Sequence, residues 1–221
     1  EEIASAVPLK PAWVRKLSRR VVRDRCFLEV AVAGGDHDPR LWPLQSSFSK
    51  VLASQIRKCI HLPGLRGSPK RACPVTAVDS AFPGTFHEYC ASVIAQWQRE
   101  NSRSKLETLE SNLAALGLTR NVAAKRVSDS SVELRVGRLP PAARGATGDM
   151  VSIADVGLGV SQALPVAVAL LVAAPGQLVY LEQPETHLHP KAELGLGKRL
   201  AEAAARGIRV VVETHSALLL R

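Results

Sequence analysis

Apolar and polar positions divide the chain into short runs of differing period. Leu178-Val179-Tyr180-Leu181 is an unbroken apolar run after the turn signal Pro175-Gly176, and it ends in Glu182. Such a run predicts a buried parallel strand with its acid at the carboxyl end. Ile208 to Val212 predicts a second buried strand, which leads into Glu213-Thr214-His215-Ser216. Between them Pro190 suits the first position of a helix. Ala192, Leu196 and Leu200 give that helix its apolar stripe, and Gly207 stops it. Gly195 and Gly197 weaken it by about 1 kcal/mol each relative to alanine, so their presence requires a close packing partner.

The apolar run Ala163 to Ala174 contains Pro165. Proline is tolerated in a first helical turn, so the spacing predicts a helix starting close to Pro165, with Gly157 to Ser161 at its N-terminus. Earlier in the chain, Phe27 to Val32 predicts a strand with Gly34-Gly35-Asp36 as its turn, and Ser46 to Ile60 predicts a helix. That helix leads into a loop with Gly64, Arg66 and Arg71. Thr85-Phe86-His87-Glu88 and Ser104-Lys105-Leu106-Glu107 read as capping boxes. The first opens a helix with Phe86, Tyr89, Val93 and Trp97 on one face. The second opens a helix with Leu106, Leu109, Leu113 and Leu116 at 3,4,3 spacing, stopped by Gly117. Together they predict a helical hairpin. Asn121 to Val127 and Val132 to Val136 predict a β-hairpin around Asp129-Ser130, and Pro140 to Asp149 reads as a mobile linker.

Composition narrows the class. The chain has 221 residues with 46% hydrophobic but only 4% aromatic, so Ala, Val and Leu must fill the core. The formal net charge is +9, and Lys10, Arg15, Lys16, Arg19, Arg20, Arg23 and Arg25 crowd the start. A basic run of this kind is either a solvated face or a nucleic-acid footprint. Cys26, Cys59, Cys73 and Cys90 show no C-x-x-C pairing, which fits scattered thiols of a cytoplasmic protein. The run Ala163 to Ala174 is far short of the roughly 18 residues of a membrane span, and no signal peptide opens the chain.

The candidate chemistry gathers near the end. A strand-end acid at Glu182 has the form of a Walker B carboxylate, which holds a Mg²⁺-water beside a nucleotide phosphate. The bland reading is a surface hydrogen bond. Gly157-Leu158-Gly159-Val160-Ser161-Gln162 opens the apolar helix, and a glycine-rich helix N-terminus suits an anion. Its bland reading is an ordinary tight turn. His187 and His189 have an H-x-H ligand spacing, yet two ligands are too few for zinc. Ser161, His215 and Asp155 could be named as a hydrolase triad, but Gly159-Val160-Ser161-Gln162-Ala163 lacks the second glycine of a nucleophile elbow.

Taken in order, Asp155 to Gln162, Leu178 to Pro190 and Val210 to Ser216 resemble the bacterial AAA family ATPases of the cassette (ABC-type, SMC/RecF/OLD-like) group, whose Walker B region reads E-Q-P-E-x-H-L-H-P. The resemblance covers Ala154 to Ser216 and reaches loosely back to His61-Leu62-Pro63-Gly64-Leu65-Arg66-Gly67, similar to the family's G-x-L-R element. It implies an α/β fold: the C-terminal lobe of a P-loop cassette-type ATPase with a mostly parallel sheet, an inserted helical hairpin and a small β-hairpin. The implied organisation is an N-terminal ATPase segment at 1–80, the hairpins at 81–139, a linker at 140–149 and the C-terminal lobe at 150–221.

The resemblance also implies ATP and Mg²⁺ as cofactors and hydrolysis of ATP. Glu182 would hold the Mg²⁺ through water. Gln183 falls where many relatives carry a catalytic glutamate, and an amide cannot accept a proton, so Glu185 is the nearest spare carboxylate. His215 matches the switch histidine on the γ-phosphate. Gly157, Gly159, Ser161 and Gln162 form the signature loop, and His187 and His189 belong to a D-loop across a dimer interface. The implied partners are a second copy of the chain, a nuclease and DNA at the basic start, in DNA repair, DNA processing or phage defence, with no membrane. One part is missing: no G-x-x-x-x-G-K-[ST] occurs. Gly195-Leu196-Gly197-Lys198-Arg199 imitates it, but Ala192 stands for the first glycine and no Ser or Thr follows Lys198. The start therefore reads as truncated. The alternative is a non-enzymatic ATPase remnant that acts as a dimerisation module.

Overall fold

The computed structural model describes residues 18–24, 27–33, 41–44, 54–137 and 150–220, with side chains from 54 onward in those ranges. Two compact units divide at Ser54/Gln55. In the first, strands β1 (Ser18–Asp24), β2 (Phe27–Ala33) and β3 (Leu41–Leu44) form an antiparallel sheet in that order. The expected strand from Phe27 is β2. Arg19, Arg20 and Arg23 lie on β1, whereas Lys10, Arg15, Lys16, Arg25, Cys26 and the Gly34 turn lie outside the described residues.

The second unit is built on two sheets. Strands β4 (Ile60–Leu62), β9 (Leu178–Glu182) and β10 (Arg209–Glu213) form a parallel sheet with β9 in the centre. The expected helix from Ser46 to Ile60 is corrected at its end. Residues 54–57 are helical, but Ile60 pairs with Val179 as the first residue of β4. Long-range pairing of a buried Ile outweighs its local helical context. The second sheet is antiparallel. Strands β6 (Val122–Ser128) and β7 (Ser131–Gly137) make the expected hairpin, and the far edge of β7 takes β5 (Cys73–Pro74) and β8 (Met150–Ser152).

Among the described residues four longer helices complete the unit: α1 (Cys90–Arg99), α2 (Arg103–Ala115), α3 (Leu158–Val172) and α4 (Pro190–Ala205). Helix α3 is the centre of the core. Leu164, Val166, Val168 and Ala169 are fully buried, and α1, α2, α4, β4 and β9 all pack on it. Each fully buried Val or Leu contributes about 1.5–3 kcal/mol. This packing accounts for one departure: α3 starts at Leu158, so Pro165 lies inside it rather than in its first turn. The lost hydrogen bond and the ring clash are offset by burial along the helix.

The two capping boxes do not form. Thr85 precedes a short 3-10 turn (Phe86–Glu88) without a side-chain cap. Asn101, at φ 52°, turns the chain so tightly that α2 begins at Arg103 and encloses Ser104. The partner that Gly195 requires is Leu116, since a Cβ on Gly195 would meet the Leu116 methyl at 2.7 Å.

Strand β9 was expected to be buried throughout, and it is buried on one face. Val179 and Leu181 are fully covered by the helices, while Tyr180 and Glu182 lie on the opposite face with His61 of β4 and Val211 of β10. Parallel sheets are ordinarily covered on both faces. Among the described residues this second face is open, and it carries the candidate site.

Candidate active site at the end of the central strand

Glu182 ends β9 about one-third exposed, with a side-chain exposure of 30%. Its Oε1 is 2.9 Å from His61 Nε2, and its Oε2 accepts the Gly64 N–H at 3.1 Å. The His61 hydrogen bond first, and the Gly64 amide second, hold the Glu182 carboxyl below the usual range. It is therefore an anion at neutral pH. His61 stacks on Tyr180 with ring centroids 5.3 Å apart, which fixes the imidazole against the acid.

Beyond Glu182 the backbone turns sharply. Gln183 has φ 44° and His187 φ 66°, both uncommon for non-glycine residues. Over-determination by neighbours keeps Gln183 there. Its N–H donates to the Glu213 carbonyl at 2.7 Å, and its carbonyl accepts the Thr186 hydroxyl at 2.8 Å and Arg66 Nη2 at 3.2 Å. The Gln183 amide lies beside Gly64, where a Cβ would come within 3.6 Å of its Oε1.

Arg66 joins the parts. It is buried, with 6% exposure. Its Nε donates to Gln162 Oε1 at 2.9 Å, and its Nη1 donates to the carbonyls of Pro63 at 3.0 Å and Glu182 at 3.2 Å. Gln162 in turn donates to the Gly67 carbonyl at 3.1 Å. The guanidinium thus ties the start of α3 to the end of β9. Burial lowers the Arg66 pKa, and the nearby Glu185 and Glu182 charges oppose that shift.

Glu185 faces the other way. Its Oε1 accepts the Thr214 hydroxyl at 2.7 Å and the His215 N–H at 3.0 Å, while its Oε2 is buried without a partner. The loop that carries the exposed His215 is fastened to this carboxylate.

The other expected site residues fall as follows. Gly157 is exposed and caps α3. Gly159 meets the turn after Pro184, and a Cβ there would lie 3.1 Å from the His187 carbonyl. The buried Ser161 donates its hydroxyl to the Leu158 carbonyl at 3.0 Å, and the Gln162 amide is spent on Arg66 and Gly67. His187 is exposed. His189 caps α4 by accepting the Lys191 N–H at its Nδ1, 3.3 Å away. Asp155 is paired with Arg71 at 2.5 Å. Ser161, His215 and Asp155 make no hydrogen bond to one another, so the structure gives no support to a hydrolase triad.

Sequence reasoning placed neither His61 nor Arg66 in the site. The available signal was their position around the Pro63-Gly64 turn, because a buried arginine beside a glycine turn needs carbonyl or carboxylate partners.

Glu182 fits the metal that the family resemblance implies. Mg²⁺ commonly takes one or two carboxylates plus waters and substrate phosphates, and Glu182 is an anionic, accessible oxygen donor at a strand end. Among the described residues no group of three His, Cys, Asp or Glu side chains is placed to hold a metal by itself. No described helix is long and apolar enough to cross a membrane.

Comparison with known proteins places the family signal on the stretch that carries β9, α4 and β10. Residues 147–221 match the family described as "AAA domain, putative AbiEii toxin, Type IV TA system". No curated protein matches the chain. Among solved structures, the chain is similar to the SMC head in "Crystal structure of the SmcHead bound to the C-winged helix domain of ScpA". The two share 11% identity with a TM-score of 0.45, over 87% of this chain and 61% of that one. The chain thus spans less than two thirds of that structure's length. The family match covers about a third of the chain and assigns an AAA-domain likeness to that part alone.

Proposed function

We propose that this chain supplies the Walker B acid, signature turn, D-loop and switch histidine of an ATPase that hydrolyses ATP to ADP and phosphate. The observation that carries the reading is the meeting of Glu182, Gln183 and the Glu185–His215 loop at the carboxyl ends of adjacent parallel strands. That is where open α/β sheets carry ligand chemistry. A phosphate loop is absent from the 221 residues, so the cradle for the β- and γ-phosphates must come from other polypeptide, and the open face of the β4-β9-β10 sheet suits its docking.

Bound Mg²⁺ would neutralise developing charge on the phosphate oxygens. Glu182 would hold it through water, its oxygens turning from His61 and the Gly64 amide. Gln183 would orient the attacking water through its amide, as glutamine does in some GTPases. His215 would hydrogen-bond the γ-phosphate, positioned through its own N–H by Glu185. General-base assistance by Glu185 would use its unpartnered Oε2, which is buried and would first have to be uncovered by a shift of the turn. Gly157 and Gly159 would present backbone N–H groups, with Ser161 and Gln162 shaping the turn behind them, and His187 and His189 would lie at the interface of a head-to-tail homodimer. Residues 81–139 would be an insertion in the ATPase domain. Coupling to DNA repair, DNA processing or phage defence, a nuclease partner and DNA contact at the basic start belong to the same proposal.

The test is steady-state ATP hydrolysis by these residues assembled with a phosphate loop. His215→Ala should lower turnover about 10²-fold or more, and unchanged turnover would remove His215 from the site. Mg-ATP titrated calorimetrically into the 221 residues alone should bind more weakly than about 1 μM, because the cradle is missing. A second reading, a non-catalytic dimerisation module, is favoured by Gln183, which cannot accept a proton. ATP-dependent dimerisation with no turnover would select it.

A further inference from the structure

Arg66 spends four N–H groups on acceptors from three separate segments. Nε donates to Gln162 Oε1 at the start of α3. Nη1 donates to the Pro63 carbonyl, which closes the Pro63–Arg66 turn on itself, and to the Glu182 carbonyl. Nη2 donates to the Gln183 carbonyl. With 6% exposure, the side chain is covered by the protein itself and has little surface left for a ligand.

Two of those acceptors belong to the backbone of residues that carry the proposed chemistry. Gln183 stands at φ 44°, a conformation that a residue with a side chain keeps only where its neighbours over-determine it. Within the turn, Thr186 donates to the Gln183 carbonyl from its hydroxyl at 2.8 Å and from its N–H at 3.1 Å. Thr186 moves with the turn, so these bonds fix its shape but not its place. Its place is fixed from outside. On the β10 side the Glu213 carbonyl accepts the Gln183 N–H, and Glu185 holds Thr214 and His215. On the β4 side Arg66 holds the carbonyls of Glu182 and Gln183, and the Gly64 N–H of the same Pro63–Arg66 turn holds the Glu182 carboxylate. Loss of the guanidinium therefore frees the turn from most of its β4 anchor and lets the side chains of Glu182 and Gln183 swing.

We infer that Arg66 is a positioning residue for hydrolysis: it aims Glu182 and Gln183 by holding their carbonyls, and through Gln162 it fastens the glycine turn at the start of α3 to the same point. Lysine does not replace it. A guanidinium is a planar fork whose donors reach acceptors on three segments, whereas the three donors of an ammonium radiate from one nitrogen. The inference rests on the ATPase reading and names what sets the geometry of that site.

The test compares Arg66→Lys and Thr186→Val with wild type, each assembled with a phosphate loop. Arg66→Lys should lower kcat about 10²-fold, the scale for a reacting group displaced by about 1 Å. The KM for Mg-ATP should stay within about threefold, because a covered guanidinium meets no nucleotide. Thr186→Val is isosteric, removes one donor from the Gln183 carbonyl and should lower kcat about tenfold. Amide hydrogen exchange on the 221 residues alone gives a readout that needs no turnover. Arg66→Lys should speed exchange about tenfold at 183–188 and 158–162 and leave the β6–β7 hairpin at 122–137 unchanged. A brace that serves stability alone would speed exchange throughout and leave kcat per folded molecule at the wild-type value. That result overturns the proposal, as does wild-type kcat in either variant or a rise in KM at constant kcat. A wild-type assembly without turnover removes the ATPase reading and this proposal with it, whereas wild-type turnover matched by Arg66→Lys removes this proposal alone.

Discussion

Two carboxylates three residues apart lead opposite lives in this molecule. Glu182, at the front of the turn, is partly exposed and held by one imidazole and one amide, both on the β4 side. Glu185, at the back, clamps Thr214 and His215 on the β10 side. The left-handed Gln183 and the buried Pro184 between them create this division. A strand would have placed residues 182 and 185 on opposite faces by alternation alone. The turn does more, because it aims one acid at the open sheet face and the other at the neighbouring strand's loop. The front acid therefore faces the open side of the sheet, and the back acid holds the Thr214–His215 loop.

The largest expected effect is at the front. Glu182→Gln removes the charge without changing the size, and ATP turnover in the assembled enzyme should fall by about 10²-fold or more, the scale of lost charge stabilisation at such sites. The His61 contact survives the change, so the thermal melt should barely move. Turnover near wild type would break the comparison at its stronger end.

Next is the piece that both halves share. Arg66→Met keeps an apolar stem but leaves Gln162 and the carbonyls of Pro63, Glu182 and Gln183 short of a donor. Loss of a buried network on this scale should cost about 2–4 kcal/mol, read as a lower urea midpoint at unchanged slope. A loss below about 1 kcal/mol would show that water replaces the guanidinium and that front and back are not joined through it.

The front was easier to see in the sequence than the back. Leu178 to Glu182 announces itself by four apolar residues and an acid, and two of the three parallel strands, β9 and β10, emerged because their signal is local, whereas β4 did not. The partners of Glu182 are not local, since His61 is 121 residues away. Strands β5 and β8, of two and three residues, are too short for any period to register. The start of α3 was misplaced because proline's cost is local while the burial that offsets it is tertiary. The clamp by Glu185 was invisible for the same reason: T-H-S after a strand does not say which carboxylate will hold it.

The smallest effect expected is the most discriminating one for the back acid. In Glu185→Gln the side-chain carbonyl can still accept the Thr214 hydroxyl and the His215 N–H, so the clamp survives. The charge near Arg66 is lost, and the buried oxygen without a partner becomes an amide N–H₂ group. These changes oppose one another, and the net change in stability should lie within about 1 kcal/mol. If Glu185 acts only by holding His215, turnover should stay within about threefold of wild type, because the transition state loses no contact made through that oxygen. If its Oε2 takes the proton of the attacking water, turnover should drop about 10²-fold with Mg-ATP affinity nearly intact, the usual worth of a positioned base. Glu185→Ala separates the cases further, because it removes the clamp in either one and should disorder the His215 loop. Steady-state hydrolysis of the two variants beside His215→Ala therefore decides whether the back of the turn is a fastening or a second reactive acid. A Gln variant as slow as the Ala variant would end the division of labour drawn between Glu182 and Glu185.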